Sequence, residues 1–508
     1  MTLDDTAGAR AAARPAGHPR RWAVLAVLCT SLLMVGVDLT VLHVAVPAIS
    51  QDLLPDAAGL LWIVDVYSLT VATLLVTFGT LGDRLGRRRT LSAGFAVFGA
   101  ASAAAAFSGT AAQLIGARML LGVGAAMIMA STVAVIRSVF PDARERAVAI
   151  GLWTAAHSAG ATIGPLVGGL LVERWWWGAV FLVNVPVVAV VLVAGRRLIP
   201  ESRDPAPRRW DAQGAILSAA GLALGVYALK GLGGEGVAVP AALGAAAVVL
   251  LAVFVVRQRR AAHPLLDLSL FADRRFRAAA VAVLCCFGCY TALLFFLTQR
   301  FQLVAGYSPV EAGLVLAPLA AANAAGAAAA PWLARRAGHR TAVSASLAVF
   351  AAALAAAALW GTGAPIAVLI SAGAGAGVVM TLGADIIMAA ARPERAGEAA
   401  AIQETSFELG AGLGVAVLGT VLAAAYRTAL PAVPGLRPDE GVVARESLGA
   451  ATAVAARLDQ TTAAALLRAA RTAFDEGFTV VMGIAAAVLA VTAALSAIAL
   501  RGAPRGET

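Results

Sequence analysis

Apolar blocks of about twenty residues recur along the whole chain, and a helix of that length crosses the hydrocarbon core of a bilayer. Fourteen such blocks can be drawn, at about residues 22–47, 59–80, 90–108, 112–137, 147–172, 178–198, 212–232, 237–257, 275–303, 309–334, 341–360, 364–390, 396–425 and 475–500. A spanning segment must satisfy its backbone hydrogen bonds within itself or in a closed barrel. The blocks are rich in Ala, Leu, Val and Gly and lack the two-residue alternation of barrel strands. The chain therefore reads as an all-α membrane protein with fourteen transmembrane helices. Composition agrees: 60% of residues are hydrophobic and 13% charged, against about 45–50% and about 25% in a soluble domain.

A net charge of +10 raises nucleic acid as a partner, and the placement of the basic residues argues against it. With a cytosolic N-terminus, the inner segments carry Arg10, Arg14, Arg20 and Arg21, then clusters at 84–89, 137–146, 196–209, 257–277, 335–340, 392–395 and 501–505. The short outer loops hold only Arg174, Lys230 and Arg300. This asymmetry is the positive-inside pattern of a multi-pass protein of the plasma or inner membrane with both termini in the cytosol. Spread over every inner loop and without interleaved aromatics, the basic residues face lipid headgroups and not nucleic acid. Cys29, Cys285, Cys286 and Cys289 all lie inside apolar blocks, where they read as packing residues and not as a zinc site or a disulfide framework. The stretch Met1 to Arg21 is polar, and the block after it runs past Pro47 without a small-residue cleavage site, so it reads as a cytosolic tail.

One internal repeat is visible. Gly79-Thr80-Leu81-Gly82-Asp83-Arg84-Leu85-Gly86-Arg87-Arg88, after the second block, matches Pro331-Trp332-Leu333-Ala334-Arg335-Arg336-Ala337-Gly338-His339-Arg340, after the tenth. Duplicated six-helix halves mark secondary transporters, which bind substrate between the halves near the midplane. The organisation expected is a tail over 1–21, a first six-helix half over 22–198, an inserted two-helix linker over 199–274, a second half over 275–500 and a tail over 501–508. The inserted pair reads as a structural spacer, having almost no ionisable residue at membrane depth. An outer loop over 427–471 belongs to the second half; its stretch Leu448 to Phe474 has the spacing of an amphipathic helix and suggests a helical hairpin over the outer mouth.

An ionisable side chain at mid-membrane costs about 2.5–3.5 kcal/mol on insertion scales, so it should face a cavity or a partner. Six stand out: Asp38 in block 1, Asp65 in block 2, Arg118 in block 4, Asp385 near the inner end of block 12, and Glu404 and Glu408 in block 13. Glu404 and Glu408, four apart, stack on one helix face with Gln403 beside them. Burial and a like-charged neighbour both favour a carboxyl that can hold either a proton or a cationic ligand. Competition of that kind is a direct route to antiport. Arg118 keeps its charge, so burial implies a partner or polar cavity for it. Asp385 reads more readily as an interfacial or gating residue.

His43 and His157 offer proton relays or, alternatively, simple hydrogen-bonded packing. Trp62, Trp153 and Phe407 could stack on an aromatic cation, although interface anchoring accounts for Trp62 as well. Trp175, Trp176 and Trp177 read as an interfacial belt. The run Gly160, Gly164, Pro165, Gly168 and Gly169 combines close helix contact with a missing backbone donor and reads as a pliable hinge. Gly373 to Gly377 is not a phosphate loop, because no Lys-Ser/Thr follows and no strand precedes it, so ATP is not the fuel. No nucleophile triad, zinc signature or haem motif supports an enzyme, a metal or a cofactor. The partners expected are a small-molecule substrate, protons and the bilayer, served by a monomer.

Over nearly its whole length the chain resembles the fourteen-helix drug:proton antiporter branch of the major facilitator superfamily. Gly79 to Arg89 is similar to the superfamily's signature loop, Arg118 with Gly122 and Gly124 to its fourth-helix motif, and Gly160 to Gly169 to the antiporter motif of the fifth helix. Val37-Asp38-Leu39-Thr40-Val41 through Pro47 resembles the branch's first-helix motif, with His43 where Asn is usual. Leu61-Trp62-Ile63-Val64-Asp65-Val66-Tyr67-Ser68 and Glu404-Thr405-Ser406-Phe407-Glu408-Leu409-Gly410 look most like the quaternary-ammonium and dye exporters. The resemblance implies that Asp38, Asp65, Glu404 and Glu408 receive protons or cationic drugs. It also implies that Gly79, Asp83, Arg84, Gly86 and Arg87 belong to a latch at the cytosolic helix ends. Some of these pumps carry another acid in the tenth helix, where this chain has Asn323.

Overall fold

Helix is the form the apolar blocks take throughout the computed structural model, which describes residues 19–203, 211–231, 238–261, 268–359, 366–390 and 396–501. The first elements are α1 (Arg21–Leu53), α2 (Ala57–Leu85), α3 (Arg87–Ala106), α4 (Ala111–Val139), α5 (Ala143–Arg174), α6 (Ala179–Leu182) and α7 (Asn184–Leu198). Then come α8 (Ala212–Gly231), α9 (Ala238–Arg260) and α10 (Arg274–Gln299). The chain continues through α11 (Pro309–Leu359), α12 (Ile366–Ala390) and α13 (Ala396–Ala429) to α14 (Pro438–Ala444), α15 (Leu448–Ala455) and α16 (Gln460–Ala499). Among the described residues there is no strand, and twelve helices are long and apolar enough to cross a membrane. The N-terminal tail before residue 19, the basic residues 392–395 and the tail after Arg501 lie outside the described residues.

Small residues decide how these helices meet, because in lipid close backbone approach replaces the hydrophobic drive. A β-carbon added at Gly160, Gly164 or Gly168 of α5 would meet α1 at Leu33, Thr40 or Val41 respectively. Gly288, Gly410 and Gly414 bring α10 onto α13 in the same way, and Gly373 and Gly377 bring α12 onto α11. Two seams join the chain before residue 200 to the chain after residue 274. In one, Leu61 and Leu69 of α2 pack on Gly419 and Gly412 of α13; in the other, Pro165 and Gly169 of α5 pack on Gly313 and Pro309 of α11. The pair α8 and α9 packs on itself through Gly221 and Leu251, and α8 leans on both α2 and α13.

At 51 residues, α11 would be about 75 Å long as one straight rod, more than twice a hydrocarbon core. It is broken at Gly338, whose φ of 79° and ψ of 152° are non-helical. Gly86, the matching position of the repeat, has φ 112° and ψ 130° and divides α2 from α3. The two copies therefore share a backbone bend as well as a sequence.

The ends of the helices define two faces. Arg21 pairs with Glu145 at 2.9 Å and Arg274 donates to the Arg501 carbonyl at 2.9 Å, so the described ends of the chain lie on one face with the starts of α5 and α10. At the opposite face α14 and α15 form a hairpin that reaches from α13 and α16 back to α1 and α2. Glu446 accepts from the Ala57 amide at 3.0 Å, Ser447 and Ser50 hydroxyls are 3.3 Å apart, and Tyr426 donates to the Ala444 carbonyl at 3.0 Å. The amphipathic spacing over 448–474 suggests one helix; the chain instead stops after α15 and restarts at Gln460. Asp459, which accepts from the Thr461 and Thr462 amides at 3.0 and 3.1 Å, is a cap and not a helical residue.

Two further expectations are corrected. Arg300 is not in an outer loop: it begins a π-helical turn at the end of α10, is buried, and pairs with Asp475 of α16 at 2.9 Å. Trp175 and Trp176 are exposed, as a belt requires, but Trp177 turns inward and donates to Asp52 at 2.7 Å.

Candidate functional site

Three acid clusters occupy the interior, and each is anchored by a different pair of helices. In the first, Asp38 of α1 and Arg118 of α4 are 0% and 1% exposed and pair at 3.1 Å. Arg118 also donates to the carbonyls of Ile63 at 3.2 Å and Val64 at 3.3 Å, and its guanidinium lies over the Tyr67 ring at 4.7 Å. The second Asp38 oxygen accepts from Asn184 at 2.9 Å, and Asn184 also donates to Ser102 at 3.2 Å. Both oxygens of Asp38 are thus engaged. Asn184 escaped sequence reasoning; the available signal was a single amide inside the apolar run Val180 to Val188.

The second cluster overturns an expectation about the inserted pair. Lys230 is not an outer-loop residue: it sits at the end of α8, 6% exposed, with its ammonium 2.8 Å from Asp65 Oδ1 and 3.6 Å from the centre of the Trp62 ring. Tyr227 of α8 packs on the same indole at 6.4 Å. The pair α8 and α9 is therefore not a bare spacer. Composition held the signal, since Lys230 is the sole lysine among 39 Lys and Arg residues. Asp65 is buried, and its Oδ2 has no partner among the described residues.

The third cluster lies on α13. Glu408 is buried, takes a hydrogen bond from Ser68 and has no partner for Oε2 among the described residues. One turn away Glu404 is half-buried, as are Gln403 and Phe407, and Phe407 packs edge-on against Phe287 at 5.1 Å. Glu408 feels the charges of both Glu404 and Arg118, and buried Tyr67 feels those of Asp38, Glu408 and Arg118. Tyr67 thus stands between the first and third clusters, its hydroxyl without a partner among the described residues. Of the other cavity candidates, Trp153 is buried, while His157 and Asn323 are half-buried. Neither Trp153 Nε1 nor His157 Nε2 has a partner among the described residues, and the Asn323 amide donates to Met380 Sδ at 3.8 Å. Buried His43 packs edge-on to Phe295 at 6.1 Å with both nitrogens unpartnered among the described residues.

The signature loop lies on the face that carries the described chain ends. Asp83 and Arg87 pair at 2.9 Å, and Arg87 also donates to the Ala134 carbonyl at 3.3 Å, tying α2 and α3 to α4. Arg84 is exposed, and a β-carbon at Gly79 would have nothing within 4 Å. In the second copy of the loop His339 pairs with Asp385 at 2.9 Å, so Asp385 lies at this exposed face and not in the interior. Gly86 is fixed by its backbone and by space: a β-carbon there would run into the Glu201 carboxylate. Gly86→Ala is expected to cost about 1–3 kcal/mol of stability from the backbone alone, read as a lower melting temperature of the purified protein. Among the described residues no group of His, Cys, Asp and Glu could hold a metal ion.

The arrangement suits charge exchange within an all-helical scaffold, and comparison with known proteins identifies the scaffold. The sequence model of the Major Facilitator Superfamily matches residues 28–415. The chain belongs to this superfamily. It is 42% identical to the multidrug efflux pump LfrA of Mycolicibacterium smegmatis, over 95% of this chain and 97% of that one. It is 35% identical to the methyl viologen resistance protein SmvA of Salmonella typhimurium (93% and 97%) and 32% to a tetracenomycin C resistance and export protein of Streptomyces glaucescens (96% and 93%). Among solved structures, an inward-facing, unoccupied bacterial homologue of the human lysosomal transporter Spinster superposes with a TM-score of 0.69 at 17% identity. It covers 95% of this chain and 98% of its own, and shows the fold. As a Major Facilitator Superfamily member with multidrug efflux relatives, the chain is an integral membrane transporter and not an enzyme.

Proposed function

We propose that the protein exports lipophilic, mainly cationic drugs or toxic compounds in exchange for protons, by alternating access. The observation that supports this reading is the burial of Asp38, Asp65 and Glu408 inside the helical scaffold, with half-buried Glu404 one turn from Glu408 and unpartnered oxygens on Asp65 and Glu408 among the described residues. Such a carboxyl holds a proton or an organic cation, and each arrival displaces the other. The names of the efflux and methyl viologen resistance relatives support the same class of substrate. Exchange of one proton for one monovalent cation moves no net charge and draws on the pH gradient alone; each further proton taken in per cation across 100 mV adds about 2.3 kcal/mol, a factor of roughly fifty in concentration ratio.

Fourteen spans follow when the broken α11 is divided at Gly338 and the twenty-residue α3, which opens on three arginines, is added to the twelve apolar helices. They group as two six-helix halves, 22–198 and 275–500, around the inserted pair in 199–274, with the shared bend at Gly86 and Gly338 as support. The Arg-rich face carrying the described chain ends is cytosolic by the positive-inside rule, and the hairpin of α14 and α15 is external. The contacts between halves at Val44 with Gln302 and Glu173 with Val310 belong to the external side of an inward-facing monomer.

Expression in a pump-deficient bacterium is expected to lower ethidium accumulation, and a protonophore to restore it; unchanged accumulation in energised cells would sink the proposal. Glu408→Gln should weaken ethidium binding by the purified protein and reduce proton-driven export, each at least about tenfold, the scale of one lost charge-assisted interaction. The tetracenomycin C relative favours a second reading, a dedicated exporter of one compound. A panel of competing substrates in proteoliposomes separates the two.

A further inference from the structure

We propose that Lys230 is a tethered occupant of an organic-cation subsite formed by Asp65 and Trp62, and that an exported cation displaces it. The inference rests on the cation-export reading and gives the inserted helix pair a role in it. A carboxylate beside an electron-rich indole face is the chemistry that recognises an ammonium group. Here that site is complete and filled from within: the Lys230 ammonium is 2.8 Å from Asp65 Oδ1 and 3.6 Å from the Trp62 ring centre, with Tyr227 forming the outer edge. The occupant reaches it from a different helix, α8, one residue before that helix ends at Gly231.

A purely structural ion pair accounts for these facts less well. Burying two charges is repaid only when their remaining hydrogen-bonding capacity is also satisfied. Asp65 Oδ2 has no partner among the described residues, and the Lys230 ammonium, which has three donors, makes one described hydrogen bond. A pair built only to hold α8 against α2 would be expected to saturate both groups. A half-satisfied pair can be exchanged at lower cost.

The residue type points the same way. Every other basic side chain, out of 39, is arginine. Arginine's planar fork would grip the carboxylate through two bonds, whereas an ammonium is a compact point charge on a flexible stem. The single lysine stands where a releasable cation is needed. While Lys230 is in place the empty protein carries no uncompensated charge at Asp65, and a lipophilic cation that takes its place meets the same carboxylate and the same ring.

The test is equilibrium binding of radiolabelled tetraphenylphosphonium to the full-length protein in lipid nanodiscs, a measurement that needs no transport. Lys230→Met, which removes the competing charge and keeps the length, is expected to bind about tenfold tighter than wild type, the scale of coupling between close charge pairs. Lys230→Arg should bind no tighter than wild type, and Asp65→Asn combined with Lys230→Met should lose the gain. Unchanged or weaker binding by a Lys230→Met protein whose melting temperature matches wild type overturns the proposal. Should that variant not fold, the native chain decides, because lysine labelled with carbon-13 at its ε position gives one side-chain resonance. Saturating tetraphenylphosphonium must shift it, and an unmoved resonance overturns the proposal. Gain of binding in Lys230→Met without export by wild type would defeat the export reading and uphold the subsite; export without the gain would do the reverse.

Discussion

Arg118→Ala is expected to leave too little folded protein to assay, whereas Asp38→Asn is expected to fold and fail to export. The asymmetry comes from what each change strands. Arg118 is the hub of its cluster, with one bond to Asp38, two to backbone carbonyls of α2 and the Tyr67 ring beneath it. Its removal leaves the Asp38 charge buried, and breaking a buried pair in this way costs about 3–5 kcal/mol against a total stability of about 5–15 kcal/mol. Asn at position 38 has the same shape and keeps an amide oxygen where the guanidinium needs an acceptor, so the charge Arg118 retains is still held by that oxygen, by its two carbonyls and by the ring. What is lost is the group whose charge can change. Arg118→Lys should fall between the two, since one ammonium cannot span the three acceptors. Yield and melting temperature of the purified variants, set beside ethidium export, check the ordering. An Arg118→Ala protein that melts like wild type would remove the basis of the argument.

How far the molecule was legible in its sequence depended on whether a residue's role shows in its own neighbourhood. Spans could be read because twenty apolar residues have few alternatives in lipid, and interior acids stood out because each is costly there. Asp38, Asp65, Arg118 and Glu408 are indeed buried. Their partners left weaker marks. Asn184 and Ser102 are small polar residues in apolar runs, and nothing local tells which acid, if any, they reach. Lys230 was placed by its position at the end of a block, a rule that holds for snorkelling side chains and fails when an acid of another helix is within reach. Residue usage was the better guide, because one lysine among so many arginines asks for a reason. Asp459 illustrates a different loss: its spacing fits a helix face, and only the backbone reveals it as a cap. The hairpin's clamps at Ser50, Ala57 and Glu446 join residues nearly 400 apart in sequence, a pairing that no periodicity encodes.

The glycines of α5 offer the second large effect, and one with internal controls. Gly160→Ala is expected to cut export at least about tenfold, because inserting even one methyl into a tight contact costs about 1–3 kcal/mol or more. The obstacle is the Leu33 carbonyl of α1, and backbone cannot rotate aside as a side chain can. Relief must come from moving α1 away from α5. That displacement acts directly on Asp38, which lies in the same stretch of α1 and must meet Arg118 on α4 and Asn184 on α7. Gly164→Ala meets Thr40, whose hydroxyl donates to the Ala161 carbonyl at 3.0 Å, so it should be damaging too but partly relieved by a side-chain rotation. Gly116→Ala in α4 is the control, since nothing lies within 4 Å of its β-carbon position, and alanine is favoured over glycine in a helix by about 1 kcal/mol. Gly79 is equally open despite belonging to the signature loop. Gly79→Ala should therefore leave melting unchanged or raised. If it nonetheless slows export, the neighbour that requires glycine there must approach only in the other state of the transport cycle, and the stability and export measurements made side by side will separate the two.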